Sequence, residues 1–355
     1  MSKKLLIVDD SALVRKQLRM LLEDLDFEID IAKNGQEDID KSLAKDYDVI
    51  TMDINMPVLD GISAVKEIME KNPTAILMVS SLTSENASIT VEAMELGAID
   101  FILKPGTMNV GVEESGREIV QKIKSLSRIP RRRIKVPVKV PEVTKARRSE
   151  RQLQAENFPQ KSSQEIDKIV LIGVSTGGPG LVERIVASLP LGYPHPVCIV
   201  QHMPAQFTRA FAERLARVST LPVHESSNND EVLPGHIYLA QGGVHMHFRK
   251  KTSGKIVTYN EKDKGARFFQ PAVDEMFDSA LKIFSAQKII GVLLTGIGDD
   301  GADGMVKIKQ GGGYTLAESE ESCTVYGMPK EAYERGGASQ VMDFEDIRKK
   351  IVNLK

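Results

Sequence analysis

Short apolar runs alternate with amphipathic segments along residues 1–126. Amphipathic helices are predicted between the runs, for example at residues 13–25 and 62–71. Strands are predicted at residues 4–8, 28–32, 47–53, 75–79 and 99–103. Because strands that alternate with helices form parallel sheets through right-handed crossovers, this pattern predicts an α/β domain with a five-stranded parallel sheet.

A second series of apolar runs begins at residue 169. The run Ile169–Val174 is continuously apolar and leads into a Gly-rich turn. This pattern is typical of a strand in a parallel sheet that is buried on both faces. Further strands are predicted at residues 196–202 and 288–295, and helices at residues 180–189, 205–218 and 302–309. Residues 167–355 are therefore predicted to form a doubly wound, mostly parallel α/β domain.

The segment between the two series, residues 127–166, contains several prolines and many arginines and has no helical or strand period. The net charge is −9 over residues 1–126, +7 over this segment and 0 over residues 167–355. We interpret the segment as a flexible basic linker between two domains. Nucleic acid is a conceivable partner of a basic run, but the lack of interleaved aromatic residues, apart from Phe158, favours a solvated tether and no nucleic-acid partner.

Composition limits the class of protein. No apolar run approaches the ~20 residues that span a bilayer, and the N-terminus has no apolar signal region, so we expect a cytoplasmic protein without membrane insertion. Cys198 and Cys323 each lie in an apolar, strand-like run, which predicts buried, reduced thiols. The six histidines are not paired with cysteines at a zinc-binding spacing.

Acidic residues follow two strands of the first domain. Asp9 and Asp10 come after the first strand, and Asp53 ends the third. If these strands are neighbours, the three carboxylates meet at one edge of the sheet, where they repel each other unless a cation binds. Hard oxygen ligands suit Mg²⁺, so a magnesium site is predicted here. Ser80 ends the fourth strand and Lys104 follows the fifth.

One combination of residues extends through the whole first domain and comprises Asp9-Asp10, the stretch 52–57, Asp60-Gly61, Ser80, Phe101 and Lys104-Pro105. Together these residues resemble a two-component receiver domain, whose fold is flavodoxin-like. The resemblance implies that a histidine kinase phosphorylates Asp53. It also implies that Mg²⁺ is held by Asp9, Asp10, Asp53 and the backbone carbonyl of Asn55.

The same resemblance assigns roles to three further residues. Lys104 is expected to pair with the phosphoryl oxygens, Ser80 to hydrogen-bond the phosphoryl group, and Phe101 to respond to that movement. The peptide bond between Lys104 and Pro105 is expected to be cis. Phosphorylation adds charge in this pocket and is expected to reorder the neighbouring loops.

Strand ends of the second domain carry the parts of a serine hydrolase. Ser175 follows Ile169–Val174 on the Gly-rich turn, His202 ends the next strand, and the pair Asp299-Asp300 follows a third. Reacting groups gather at this edge of α/β sheets, and a hydroxyl, a base and an acid that orients the base form a nucleophilic triad. Backbone N–H groups of the turn can stabilise the developing negative charge.

The order of these residues departs from the common α/β-hydrolase. Residues 173–177 fit the G-x-S-x-G nucleophile elbow, but in that fold the acid precedes the histidine, whereas His202 precedes the Asp pair. From the residues alone, either Asp299 or Asp300 can be the acid. Two other functions stay open: a phosphorylation-gated transcription regulator, which lacks a helix-turn-helix pattern here, and a small-molecule esterase, for which no aromatic pocket is evident.

A second resemblance extends over the stretches 173–179, 200–204, 240–245, 269–274, 294–301 and 323–329. These stretches are similar to the chemotaxis protein-glutamate methylesterase family. The resemblance implies a triad of Ser175, His202 and Asp300. It implies that a backbone N–H near Ile297 helps to form an oxyanion hole and that Thr176 supports the site. Asp299 occupies a variable position of the family motif and receives no role.

The family resemblance also implies a function. The expected enzyme hydrolyses glutamate methyl esters, and deamidates glutamines, on the cytoplasmic helices of methyl-accepting chemoreceptors. The expected phosphodonor is the chemotaxis histidine kinase, and the receiver is expected to cover the active site until Asp53 is phosphorylated. Mg²⁺ is expected in the receiver only, and no cofactor in the catalytic domain.

Overall fold

The computed structural model describes residues 2–105, 112–134, 136, 140–143, 166–263 and 267–354. The chain divides into two compact units, residues 1–139 and 140–355. Residues 144–165, which make up most of the predicted linker, lie outside the described residues. Within the described ranges, none of the helices has the length and apolar character that crossing a membrane requires.

Strands and helices alternate through the first unit. Their bounds are β1 Lys3–Val8, α1 Ala12–Leu21, β2 Phe27–Ala32, α2 Gly35–Ala44, β3 Val49–Asp53, α3 Gly61–Lys71, β4 Ile76–Ser80, α4 Ser84–Leu96, β5 Asp100–Leu103 and α5 Val112–Leu126. The strands pair in parallel in the order β2-β1-β3-β4-β5. The predicted five-stranded parallel sheet is confirmed, and β1 lies beside β3, so Asp9 and Asp53 reach the same edge.

Three helices of the first unit begin after a residue that caps them. The side chains of Asn34, Asp60 and Thr83 each accept a hydrogen bond from the backbone N–H three residues further on, at the starts of α2, α3 and α4. A cap of this kind satisfies an N–H group that the helix leaves without a partner and contributes about 1 kcal/mol. These local signals explain why each helix begins directly after its loop.

Several described residues of the predicted linker pack against the unit to which they belong. Ile129 and Ile134 are buried in the first unit. In the second unit, Glu142 Oε1 lies 2.7 Å from Nη1 of Arg214, and the Val143 N–H donates to the carbonyl of Arg217. These contacts form because apolar and acidic residues within the basic segment find complementary partners on the folded units. The flexible linker over residues 127–166 stays a prediction.

The second unit contains a larger parallel sheet. Its elements are β6 Ile169–Val174, α6 Pro179–Ser188, β7 Val197–Gln201, α7 Ala205–Val218, β8 Val223–Glu225, β9 Ile237–Leu239, β10 His245–Lys250, β11 Ile256–Glu261, α8 Val273–Ile283, β12 Ile289–Leu293, α9 Ala302–Gln310, β13 Tyr314–Glu318, α10 Met328–Glu334, β14 Gln340–Met342 and α11 Phe344–Val352. The order is β14-β13-β12-β6-β7-β9-β8, with β10 and β11 forming a separate antiparallel hairpin.

The centre of this sheet is the strand β6. Every residue of β6 is buried, as the continuous apolar run predicted. The strand pairs in parallel with β7 on one side and with β12 on the other. Helices α6 and α7 pack against each other, as do α8 and α9. The predicted α/β class is confirmed, and the carboxyl ends of three neighbouring strands meet at one edge.

Two local predictions were wrong. The peptide bond before Pro105 is not cis; among the described residues the cis bond precedes Pro271. Trans is the default because it is favoured by about 0.5–1 kcal/mol even before proline. Cys323 lies in the loop after β13 rather than on a strand, because the chain turns there with the Cys323 N–H donating to the carbonyl of Ser319. Cys323 and Cys198 are nevertheless both buried, as predicted.

Candidate active site

Ser175 and His202 directly follow two neighbouring strands. Val174 of β6 pairs with Gln201 of β7, so the next residue of each strand is the serine and the histidine. Paired strands lie about 4.8 Å apart, and the His202 N–H donates to the carbonyl of Val174 at 3.2 Å. Both side chains are largely buried, with 5% of Ser175 and 9% of His202 exposed. The register therefore brings the predicted nucleophile and base together.

Asp300 binds one nitrogen of the His202 imidazole. Nε2 of His202 lies 2.8 Å from Oδ2 of Asp300, whereas the buried Nδ1 has no hydrogen-bond partner within the described part of the chain. Burial by itself raises the pKa of Asp300, but the hydrogen bond and charge of His202 and two backbone donors hold it below its ordinary value. Asp300 is therefore an anion that can orient the imidazole and stabilise its positive charge.

The neighbouring Asp299 has different contacts. Its carboxylate is exposed and lies 2.6 Å from Nη2 of Arg335, which also binds Asp303. The structure thus brings Asp300, and not Asp299, to His202. Exposed ion pairs of this kind contribute little to stability, so the Asp299 contact is a surface feature of the loop.

The loops around Ser175 approach its backbone closely. Gly177 has a φ of +79° and lies against Thr324, so a side chain there would be both strained and obstructed. A Cβ on Gly296 would lie 2.8 Å from the Cβ of Ser175. Thr176 is buried, and its carbonyl accepts a hydrogen bond from Thr295 Oγ1 at 2.9 Å. These contacts place the loop that contains the half-buried Ile297 beside the serine.

Acidic side chains meet at the carboxyl edge of the first sheet, as predicted. One oxygen from each of Asp9, Asp10 and Asp53 lies within 4.8 Å of the others. Nζ of Lys104 is 2.8 Å from Asp53 and 3.2 Å from Asp9. Burial raises the pKa of Asp53 to about 6; the charge of Asp9 acts in the same direction, and Lys104 opposes both. The cluster is therefore a carboxylate pocket with a single lysine partner among its described neighbours.

Other predicted receiver residues surround this pocket. Ser80 follows Val79, the residue that pairs with Asp53 on the next strand, and its hydroxyl accepts a hydrogen bond from Thr90 at 3.1 Å. The Asn55 side chain donates to Asn86 at 3.0 Å. The backbone carbonyl of Asn55 is the group that the resemblance assigns to the metal. Phe101 is buried, with 3% of its surface exposed.

Both units of the chain match models of known families. The model of the CheB methylesterase family matches residues 170–351, and the response regulator receiver domain model matches residues 5–125. This chain belongs to the CheB methylesterase family. The match favours the methylesterase resemblance over the transcription regulator, and the predicted receiver domain is confirmed.

Relatives of this CheB family member match along its whole length. Protein-glutamate methylesterase/protein-glutamine glutaminase 2 of Carboxydothermus hydrogenoformans is 44% identical over 365 residues, covering 100% of this chain and 99% of the relative. The protein of the same enzyme name from Archaeoglobus fulgidus is 40% identical, covering 99% of this chain and 97% of its own. The crystal structure of the Thermotoga maritima CheB methylesterase catalytic domain has 40% identity and a TM-score of 0.51, covering 54% of this chain and 100% of that chain.

Sequence reasoning missed two side chains that touch the CheB site. The ring of Phe269 stacks on His202, with ring centroids 4.1 Å apart and planes 12° apart. Gln201 Nε2 donates to the carbonyl of Ser175 at 2.9 Å. Phe269 lies within one of the stretches that carried the family resemblance, but only the folded chain shows its contact. Gln201 could have been found as the polar residue that ends an apolar strand.

Glu318 was also missed. It is a fully buried carboxylate at the end of β13, and it accepts hydrogen bonds from the Thr295 N–H at 2.8 Å and from the Ser322 hydroxyl at 2.9 Å. Burial raises the pKa of Glu318 above its ordinary range. The carbonyl of Thr295 in turn accepts the N–H of Ser175 at 3.0 Å. Glu318 thus supports the backbone that holds the serine.

Proposed function

We propose that this chain is a phosphorylation-activated hydrolase. It hydrolyses glutamate methyl esters, and deamidates glutamines, on methyl-accepting chemoreceptors during chemotactic adaptation. The observation that carries the proposal is the position of His202. The last residues of β6 and β7, Val174 and Gln201, are paired, and Ser175 and His202 directly follow them. One nitrogen of His202 is hydrogen-bonded to Asp300, and the other has no partner in the described chain.

The proposed mechanism uses the two imidazole nitrogens differently. Nδ1 of His202 takes the proton of the Ser175 hydroxyl while the serine oxygen attacks the side-chain carbonyl of the methylated glutamate. Asp300 holds Nε2 and stabilises the imidazolium that forms. His202 then gives the proton to the departing methoxide oxygen as its bond to the carbonyl carbon breaks, so methanol leaves. Water, with His202 again as the base, hydrolyses the acyl-enzyme to glutamate. A glutamine side chain follows the same steps and releases ammonia.

The developing oxyanion needs hydrogen-bond donors beside the serine. The Ile297 N–H is our candidate, because the loop of Gly296 is packed against Ser175 and the Ile297 N–H makes no backbone hydrogen bond among the described residues. Thr176 supports the same loop through its contact with Thr295. Donors fixed in this way commonly contribute 10²–10³-fold to kcat.

Asp53 is the proposed phosphoryl acceptor, with the chemotaxis histidine kinase as phosphodonor. The carboxylate pocket fits Mg²⁺, because three oxygen donors lie within 4.8 Å and Asp9 and Asp53 are buried. Asp9, Asp10, Asp53 and the carbonyl of Asn55 would hold the ion, which neutralises phosphoryl charge when bound. Lys104 would pair with the phosphoryl oxygens, Ser80 would hydrogen-bond the group, and Phe101 would respond by moving.

The receiver acts as the switch in this proposal. Phosphorylation shifts the population of the chain towards an arrangement with an accessible active site. The catalytic unit uses side chains and backbone donors, without a cofactor of its own. The enzyme works in the cytoplasm, where the methylated receptor helices and the kinase are found, and nucleic acid is not among its partners.

Methanol release tests the proposal directly. Chemoreceptor membranes carrying labelled methyl groups are mixed with the full chain, with and without acetyl phosphate and Mg²⁺. We expect labelled methanol to form, and its rate to rise when the phosphodonor and Mg²⁺ are both present. Absence of methanol under all conditions would contradict the assignment. Hydrolysis of free small esters without any hydrolysis of the receptor methyl esters would contradict it as well.

A further inference from the structure

Two helices beside the active site begin without a cap of their own. The N-cap residues of α8 and α9 are Ala272 and Gly301, and neither provides a side-chain hydrogen bond. The first N–H groups of a helix have no partner within the helix, so a buried start requires acceptors from elsewhere in the fold. In this chain each of the two helices receives its acceptor from the start of the other.

Asp300 caps the start of α8. Its Oδ2 accepts the Val273 N–H at 2.6 Å, and its Oδ1 accepts the Asp274 N–H at 3.0 Å. The carboxylate therefore lies at the positive end of α8 while it also binds His202. Both oxygens of Asp300 are engaged, so its orientation depends on where the two helix ends lie relative to each other.

Asp274 caps the start of α9. Its Oδ1 accepts the Gly304 N–H at 2.8 Å, and 4% of the residue is exposed. Nη1 of Arg267 lies 3.6 Å from the other oxygen. Burial raises the pKa of Asp274 to about 6, the Gly304 N–H opposes this, and the charge of Asp300 adds to it. The group is therefore mostly ionised at pH 7.5.

The two helix ends are packed tightly around this exchange of caps. A Cβ on Gly301 would lie 2.7 Å from Cγ1 of Val273, and a Cβ on Gly304 would lie 2.7 Å from Cβ of Phe277. Gly301 also has a φ of +90°, which favours glycine. Side chains of α8 fill the space beside the two glycines at the start of α9. A displacement of one helix start therefore displaces the other.

We infer that Asp274 is a positioning residue of the esterase. It fixes the start of α9 through Gly304, and with it the preceding loop residue Asp300, in the orientation that holds the His202 imidazole. The inference rests on the proposed function. Asp274 touches no reacting atom, and its effect passes through Asp300 alone. A displacement of about 1 Å at a catalytic group can cost about 10²-fold in rate, so we expect a loss of that order.

The test is a mutant cycle in the full chain, assayed by methanol release from methylated receptor membranes with acetyl phosphate at pH 7.5. Asp274→Ala is expected to lower kcat about 10- to 100-fold with KM within about twofold of wild type. Asp274→Asn keeps an oxygen that accepts from Gly304 and is expected to stay within about threefold of wild type. In an Asp300→Ala background, Asp274→Ala is expected to cost nothing further.

Asp278 provides the matched control. It lies one turn further along α8 and binds Nζ of Lys307 on α9 at 2.7 and 2.8 Å, so it also joins the two helices but away from the site. Asp278→Ala is expected to leave kcat unchanged. If Asp274→Ala does not fold, Asp274→Ser, whose hydroxyl is one bond shorter than the carboxylate, replaces it in the same cycle.

A spectroscopic readout separates this inference from the proposed function. The imidazole Nε2–H proton of His202, hydrogen-bonded to Asp300, is expected to give a downfield ¹H resonance in wild type, Asp274→Asn and Asp278→Ala, and to lose it in Asp274→Ala. If the wild-type protein shows the resonance but releases no methanol, the proposed function is contradicted, whereas the role of Asp274 in positioning Asp300 is not. The inference would be overturned if Asp274→Ala kept the wild-type kcat, or if Asp274→Asn lost as much kcat as Asp274→Ala. It would also be overturned if Asp274→Ala lowered kcat as much in the Asp300→Ala background as in wild type.

Discussion

Asp299 and Asp300 are adjacent aspartates with opposite surroundings. Asp299 is exposed and pairs with Arg335, whereas Asp300 accepts two backbone N–H groups and binds His202. The chemistry of a carboxylate in this loop is therefore set by its neighbours in space and not by its residue type. The same holds for His202, whose two nitrogens differ because only one of them meets Asp300.

The nucleophile assignment makes a prediction at this scale. Ser175→Ala is expected to lower methanol release about 10⁴- to 10⁶-fold, because alanine has no hydroxyl that can attack the ester carbonyl. The thermal unfolding temperature is expected to stay close to wild type, since the serine hydroxyl makes none of the main structural contacts. Ser188→Ala, at the far end of α6, is the control. An active Ser175→Ala protein would remove Ser175 from the mechanism.

Helix α2 contains a buried acid that no cation accompanies among the described residues. Asp38 lies in its first turn, is fully buried, and accepts one hydrogen bond, from Ser42 at 3.1 Å. Burial raises the pKa of Asp38 to about 7. The first turn of a helix favours a negative charge, but here desolvation is the larger effect.

This raised pKa predicts how the stability of the first unit depends on pH. The folded form holds the Asp38 proton up to about pH 7, whereas the unfolded form loses it near pH 3.9. The unfolding free energy is therefore expected to fall as pH rises from about 4 to about 7, by up to about 4 kcal/mol, and then to level off. Asp38→Asn should flatten that slope, measured by urea unfolding with α2 amide signals as the probe.

The control for this prediction is Asp40→Asn on the same helix, because Asp40 is exposed. It is expected to keep the wild-type slope. Other buried acids, such as Asp53, titrate in the same pH range. The unfolding free energies of the variants are therefore compared with that of wild type at each pH. An Asp38→Asn protein with the full wild-type slope would show that Asp38 is charged in the folded state.

At the scale of the whole molecule, two chemistries are carried by separate units. The acidic pocket belongs to residues 1–139, and Ser175, His202 and Asp300 belong to residues 140–355. Within the second unit, the buried ion pair of Arg214 and Glu183 joins α7 to α6, the helices that follow His202 and Ser175. Glu142, from within the predicted linker, binds the same arginine. The chain entering the catalytic unit is thus attached to the helices that follow the site residues.

Control by the receiver is tested at Asp53. Asp53→Asn is expected to abolish the increase in methanol release that acetyl phosphate produces, because the amide cannot accept the phosphoryl group. The rate without phosphodonor is expected to persist, since Ser175, His202 and Asp300 are unchanged. Asp24→Asn, an exposed change in the same unit, should respond as wild type does. Undiminished stimulation of Asp53→Asn would exclude Asp53 as the acceptor.

Much of the architecture could be predicted from local pattern. Strands such as β4 and the central strand β6 were correctly placed because a strand buried in a parallel sheet is mostly apolar along its length, whereas the edge strand β2 alternates apolar and acidic residues. The meeting of Ser175 and His202 followed from chain direction, because parallel strands present the same end to one edge. The packed ends of the linker, the cap from Asp274 and the stacking of Phe269 were not predictable, because no local periodicity records them.

The sequence by itself determined the fold class, the strand ends that carry chemistry, and the family. Tertiary structure decided which of two adjacent aspartates binds His202, which helix starts exchange caps, and where Cys323 and the linker residues pack. The physical reason is the distance along the chain over which each effect acts. Periodicity and capping operate within a few residues, whereas His202 and Asp300 are 98 residues apart, and their contact exists only after the sheet has formed.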